Sequence, residues 1–125
     1  HSMEIGWTLP NGWTVAMLHT FIQNKGFFGG PEDGPDLIGG WMLQLKVPVV
    51  VPELVLKFAA GLGGTHDQSD GIKAHAGPGL SAGLDFHVPL GWRGHGLTLG
   101  ITAIRVWAQG TAHTGAGIQL GYTLF

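Results

Sequence analysis

From Ile72 to Leu90, apolar residues alternate almost without error with polar or very small ones. One parity carries Ile72, Ala74, Ala76, Pro78, Leu80, Ala82, Leu84, Phe86, Val88 and Leu90. The other carries Lys73, His75, Gly77, Gly79, Ser81, Gly83, Asp85, His87 and Pro89. A repeat of two is the side-chain period of a β-strand, not of a helix. A strand with one face in water would carry large charged side chains on that face, whereas here it is mostly glycine, serine and histidine. An apolar outside around a tight, small-residue inside is the arrangement of a transmembrane barrel.

The same pattern recurs along the chain and predicts seven strands. Ile5, Trp7 and Leu9 share one parity; after Pro10-Asn11-Gly12 come Trp13, Val15, Met17, His19 and Phe21. The third strand sets Trp41, Leu43, Leu45 and Val47 over Gly40, Met42, Gln44 and Lys46, and the fourth sets Leu54, Leu56, Phe58, Ala60 and Leu62 opposite Glu53, Val55, Lys57, Ala59 and Gly61. The Ile72 stretch is the fifth. The sixth runs Leu97, Leu99, Ile101, Ala103, Arg105 and Trp107, with Ile104 and Val106 breaking its alternation; the seventh runs Thr114, Ala116, Ile118, Leu120, Tyr122 and Leu124. Short or proline-marked connections (10–12, 48–52, 89–94) alternate with longer polar ones (24–36, 65–71), and 108–112 is short for its side. Short turns at one end and longer loops at the other are the habit of outer-membrane barrels. Trp7, Trp13, Phe86 and Trp92 fall near the short-turn end and Trp41 and Trp107 near the other, as two headgroup-level aromatic bands would.

Composition points the same way. The 125 residues are one domain's worth, with His1 to Met3 reading as a cloning remnant and 4–125 as a single β-barrel domain. There are 23 glycines and only 11% charged residues, against roughly 25% in an ordinary soluble domain, so little charge is left to solvate an outer surface. Gly, Pro or a charge interrupts every apolar run before the ~18 residues of a spanning helix, so a membrane would be crossed by strands. A net charge of −2 without a Lys/Arg cluster excludes an electrostatic nucleic-acid partner. The absence of cysteine removes thiolate chemistry.

The stretches PELVLKFAAGLGG, AGPGLSAGLDFHVPLGW and GIQLGYTLF, ending on Phe125, resemble the small outer-membrane β-barrels of the OmpX, OmpA-membrane-domain and opacity-protein type. The resemblance is architectural and spans roughly Gly39 to the C-terminus. It implies that the terminal Phe125 is read by barrel-assembly machinery, although Tyr122 and Phe125 stand on opposite parities where the usual ending puts both aromatics on one face. It brings no catalytic motif.

The expected interior polar network is Lys46, Glu53, Lys57, Asp85 and His87. Lys46 and Glu53 lie near-symmetrically about Val49-Val50 and should face each other; Lys57 with Asp85, and Glu53 with His87, sit at matching distances from the short-turn end. Charges inside a closed barrel must pair or change protonation, and a register-fixing polar core is the plainer account than a proton relay. Leu56, Leu80, Leu84 and Leu120 should face lipid. Arg105 shares that parity beside a loop end, where it would reach a lipopolysaccharide phosphate. His19 is unexpected on the same face. No metal is expected: His75 and His87 are about 40 Å apart along one strand at ~3.3 Å per residue, and His66, Asp67, Ser69 and Asp70 lack the spacing of a calcium or zinc motif. Serine catalysis has only Ser69 and Ser81 beyond the first residues, neither on the lipid face.

These observations predict an all-β, antiparallel up-and-down transmembrane β-barrel of about eight strands, in the outer membrane of a Gram-negative bacterium. Its lumen would be filled by side chains, with neither enzymatic activity nor a cofactor, and its partners would be outer-membrane lipids and lipopolysaccharide. The alternatives are an outer-membrane lipid-modifying enzyme of the lipid A deacylase kind and a soluble lipocalin-like barrel with its apolar face inward. Seven strands leave the two ends of the sheet on opposite sides. Bacterial barrels use even numbers, so the gap implies a further N-terminal strand, a second chain, or a strained first-to-seventh pairing.

Overall fold

The computed structural model describes residues 2–23, 35–67, 73–91 and 95–124. Its elements are β1 (Ser2–Thr8), β2 (Thr14–Gln23), β3 (Leu37–Val49), β4 (Val51–Asp67), β5 (Lys73–Pro89), β6 (His95–Ala108) and β7 (Thr111–Leu124). All seven strands expected from alternation are present in one sheet, each antiparallel to its sequence neighbour, in the order β1 to β7. Among the described residues no ladder joins β1 to β7, so the sheet is open along that seam. No helix among them is long and apolar enough to cross a membrane, which says nothing of crossing by strands.

Boundaries differ where pairing outlasts the sequence cue. β4 continues to Asp67, so His66 and Asp67, expected in a loop, are instead its last residues, paired with Ala74 and Lys73. β1 begins at Ser2, which pairs with Thr20. The first hairpin is closed by Gly12 N donating to Leu9 O at 2.9 Å, while Asn11 Oδ1 accepts from Trp13 N at 3.1 Å. The unexpectedly short β6–β7 connection is a two-residue turn: Gln109 and Gly110 have φ of 51° and 75°, the paired positive values that a type I′ turn requires.

The ladders sort the residues into two faces. Outward stand Leu43, Phe58, Leu62, Leu80, Leu99, Ile101, Ile118 and Leu120, all exposed. Inward, Leu18, Ile38, Met42, Ala59, Ile104, Val106 and Ala108 form one buried apolar cluster. Ile104 and Val106, which break the alternation of β6, are thus inner-face core residues. The inner face is therefore not polar throughout: an apolar plug fills the half nearer the long connections, and the charges occupy the half nearer the short turns. Inward glycines make room for bulky partners; a Cβ at Gly79 would lie 2.8 Å from Met42 Cε.

The strands are also staggered. One cross-strand row runs Trp7, Val15, Leu45, Phe58, Ala82, Ala103, Ala116. It starts beside the last residue of β1 and ends well short of the last residue of β7. Such stagger accompanies the twist and coiling of barrel-like sheets. The inner face curls far enough for β7 to meet β2, where a Cβ on Gly117 would sit 3.5 Å from Ile22 Cγ2.

Candidate functional site

Two features carry chemistry: a charge network on the inner face and a nearly uncharged outer wall. At the centre of the first, Lys57 Nζ lies 2.6 Å from Asp85 Oδ1, with side chains only 5% and 2% exposed. The two come from adjacent strands, where Lys57 pairs with Gly83 and Asp85 with Val55 in register, so the bridge is diagonal. Glycine makes it sterically feasible. A Cβ on Gly100, opposite Asp85, would overlap the Asp85 carboxylate, and one on Gly83 would come within 2.9 Å of Lys57 Cε.

The network extends across the interior. Lys57 Nζ donates to Gln119 Oε1 at 3.1 Å, and Gln119 Nε2 donates to Ser2 Oγ at 3.1 Å, a side-chain bridge over the open seam. Lys46 stands directly opposite Lys57 in the β3–β4 register. Two lysines side by side on one face repel, and each has its own carboxylate: Asp85 for Lys57, and for Lys46 the Oε1 of Glu4 at 2.6 Å. The expected Lys46–Glu53 pairing is thereby corrected. A regular hairpin about Val49-Val50 would set the two opposite each other, but the register shifts between Pro48 and Val49, so Glu53 falls in the irregular stretch. Among the described residues Glu53 makes no ion pair. His87 shares a hydrogen bond with Thr98, Nδ1 to Oγ1 at 2.8 Å.

Glu4 and Gln119 are the members that sequence reasoning missed. Inward parity was the available signal: Glu4 shares it with Ser2, Gly6 and Thr8, and Gln119 with Gly115, Gly117 and Gly121.

On the outer wall, Leu80 and Leu120 are 51% and 77% exposed, while Leu56 and Leu84 are half-buried on the same face. Arg105 is exposed there, its guanidinium 5.5 Å from the centroid of the Trp107 ring. His19 is held among aromatics on the wall, 5.0 Å from Phe21 and 4.3 Å from Trp41 by ring centroids. Ser81 is buried on the inner face between Ala59 and Ile104 in register. Gln109 Nε2 donates to His75 Nδ1 at 2.8 Å, near the opposite end of β5 from His87. No group of three or more metal-ligating side chains occurs among the described residues. Ser69, Asp70, Trp92 and Phe125 lie outside them.

Comparison with protein-family models, with curated proteins and with solved structures finds no match.

Proposed function

We propose that the chain is an integral outer-membrane β-barrel protein with a side-chain-filled interior and a structural or surface-interaction role, without enzymatic activity. The observation that carries this reading is the polarity of the sheet. Every ion pair found among the described residues lies on the concave face, beside a small apolar plug, and an almost unbroken apolar wall faces outward. Soluble monomers rarely expose contiguous apolar area on that scale, and a lipocalin-like barrel would need the reverse arrangement.

Dimensions support it. The outward residues of β6 from Leu97 to Trp107 cover about 33 Å of strand at ~3.3 Å per residue, or about 25 Å of height at a tilt near 40°, the thickness of an outer-membrane apolar band. Tryptophans lie at both ends of the wall: Trp7 and Trp13 toward the short turns, Trp41 and Trp107 toward the long connections. In lipid, the free backbone groups along β1 and β7 would each cost several kcal/mol, so the seam must close. The Ser2–Gln119 bond and the Gly117–Ile22 approach favour direct apposition of the two edges.

Behaviour in solution tests the reading. The purified chain is expected to aggregate in plain buffer and to become monodisperse in detergent micelles or lipid vesicles. A chain that stays monodisperse and folded without amphiphile refutes it and returns the soluble-barrel alternative.

A further inference from the structure

Among the described residues the outer wall carries one formal charge. On the outward positions of the seven strands, among the described residues, Arg105 is the only Asp, Glu, Lys or Arg. It forms no salt bridge among those residues, and its one partner is the face of Trp107. A guanidinium on an apolar wall retains donors that match a phosphate or carboxylate bidentately. Trp107 places it toward one end of the wall, where an interfacial anion would lie.

Arg105 also stands at the rim of a depression. An open hollow of about 680 Å³ crosses the outer face from Leu43 and Leu45 on β3 to Arg105 and Thr114 on β6 and β7. Ala60, Ala82 and Ala103 form its floor, and Phe58 and Leu80 rise beside them. The register explains the shape: Ala82, Ala103 and Ala116 are direct cross-strand neighbours, while the next row toward the short turns is Leu84, Ile101, Ile118. From β3 to β7 the hollow spans about 19 Å at ~4.8 Å per strand, within the reach of one extended acyl chain. Arg105 is the one charged residue of its lining; the polar residues besides it are Thr114 at the same end and Gln44 and Ser81, both buried on the inner face.

We propose that this hollow binds a phosphate-bearing acyl lipid of the surrounding leaflet, with one acyl chain over the alanine floor and the phosphate held by Arg105. Charge complementarity selects this occupant. A neutral lipid leaves the guanidinium unpaired, and a second copy of the chain would bring an outer wall with no carboxylate on its strands. Thr114, opposite Arg105 in register, adds a hydroxyl donor beside the phosphate position.

The proposal rests on the membrane reading, and the test separates the two. The full chain, folded in micelles, is titrated with lipid A carrying its phosphates and with the dephosphorylated lipid, and bound adducts are counted by native mass spectrometry. The phosphorylated lipid is expected to bind at least about tenfold more tightly, the scale of one charge-assisted hydrogen-bonded contact. Arg105→Gln should abolish that preference, and Ala103→Trp, which fills the hollow from an outward position, should weaken both lipids. Equal binding of both lipids by a folded wild-type chain, an unchanged preference in Arg105→Gln, or displacement of the lipid by equimolar inorganic phosphate overturns the site while leaving the membrane reading intact. A chain monodisperse without amphiphile overturns both.

Discussion

Removing one partner of the Lys57–Asp85 bridge should be among the most damaging single changes in this protein. The pair is 2.6 Å apart and almost wholly buried. Asp85→Ala leaves an ammonium with one neutral acceptor, Gln119 Oε1 at 3.1 Å, and with Lys46 directly opposite. Stranding a buried charge costs about 3–5 kcal/mol, whereas exchanging both ions for apolar residues of similar volume is often close to neutral. Lys57→Met and Asp85→Ala should therefore each be severe, and Lys57→Met/Asp85→Leu milder than either. With the same substitutions made singly and together, Lys57→Met and Asp85→Leu, the coupling should exceed the cost of either single change, about 3 kcal/mol or more, at or beyond the upper end for interacting residues. Gly100 supplies an independent check, because a Cβ there overlaps the Asp85 carboxylate. Gly100→Ala should cost about 1–3 kcal/mol in the native background, as overpacking does, and much less once Asp85 is alanine. Urea unfolding in micelles, followed by tryptophan fluorescence, reads these values as midpoint shifts at constant slope. Additivity within ~0.5 kcal/mol, or a Gly100→Ala cost indifferent to Asp85, would refute the argument.

Leu84→Arg should destabilise the lipid-embedded protein by about 2–4 kcal/mol if Leu84 sits near the bilayer midplane; a neutral result in lipid refolding titrations would reverse the assignment of faces. Cysteines replacing Ser2 and Gln119 should crosslink within a monomer, because their side chains already meet across the seam. Crosslinks found only between chains, or none, would rule out direct closure and favour an added strand.

Alternation by itself determined the number of strands, their antiparallel order and the face each residue occupies. Side chains on a strand point to opposite sides with a period of two, so any sheet separating two environments writes them on alternate residues. That was enough to bring Lys57 and Asp85 together on paper, since they lie on adjacent strands at matching distances from a common end. It was not enough for Lys46, because a register shift between Pro48 and Val49 sets it opposite Lys57 and leaves Glu53 without an ion pair among the described residues. Glu4 reaches Lys46 two strands away, and Gln119 meets Lys57 and Ser2; all three contacts exist only because the sheet curls. The division of the interior into an apolar plug and a charged half was likewise hidden, since Ile104 and Val106 looked like errors of phase until Met42 and Ile38 met them from β3. Face assignment depends on local backbone geometry and is legible residue by residue. Partnership across the inner face depends on twist, stagger and curvature accumulated over the whole sheet, and only the tertiary structure sets those.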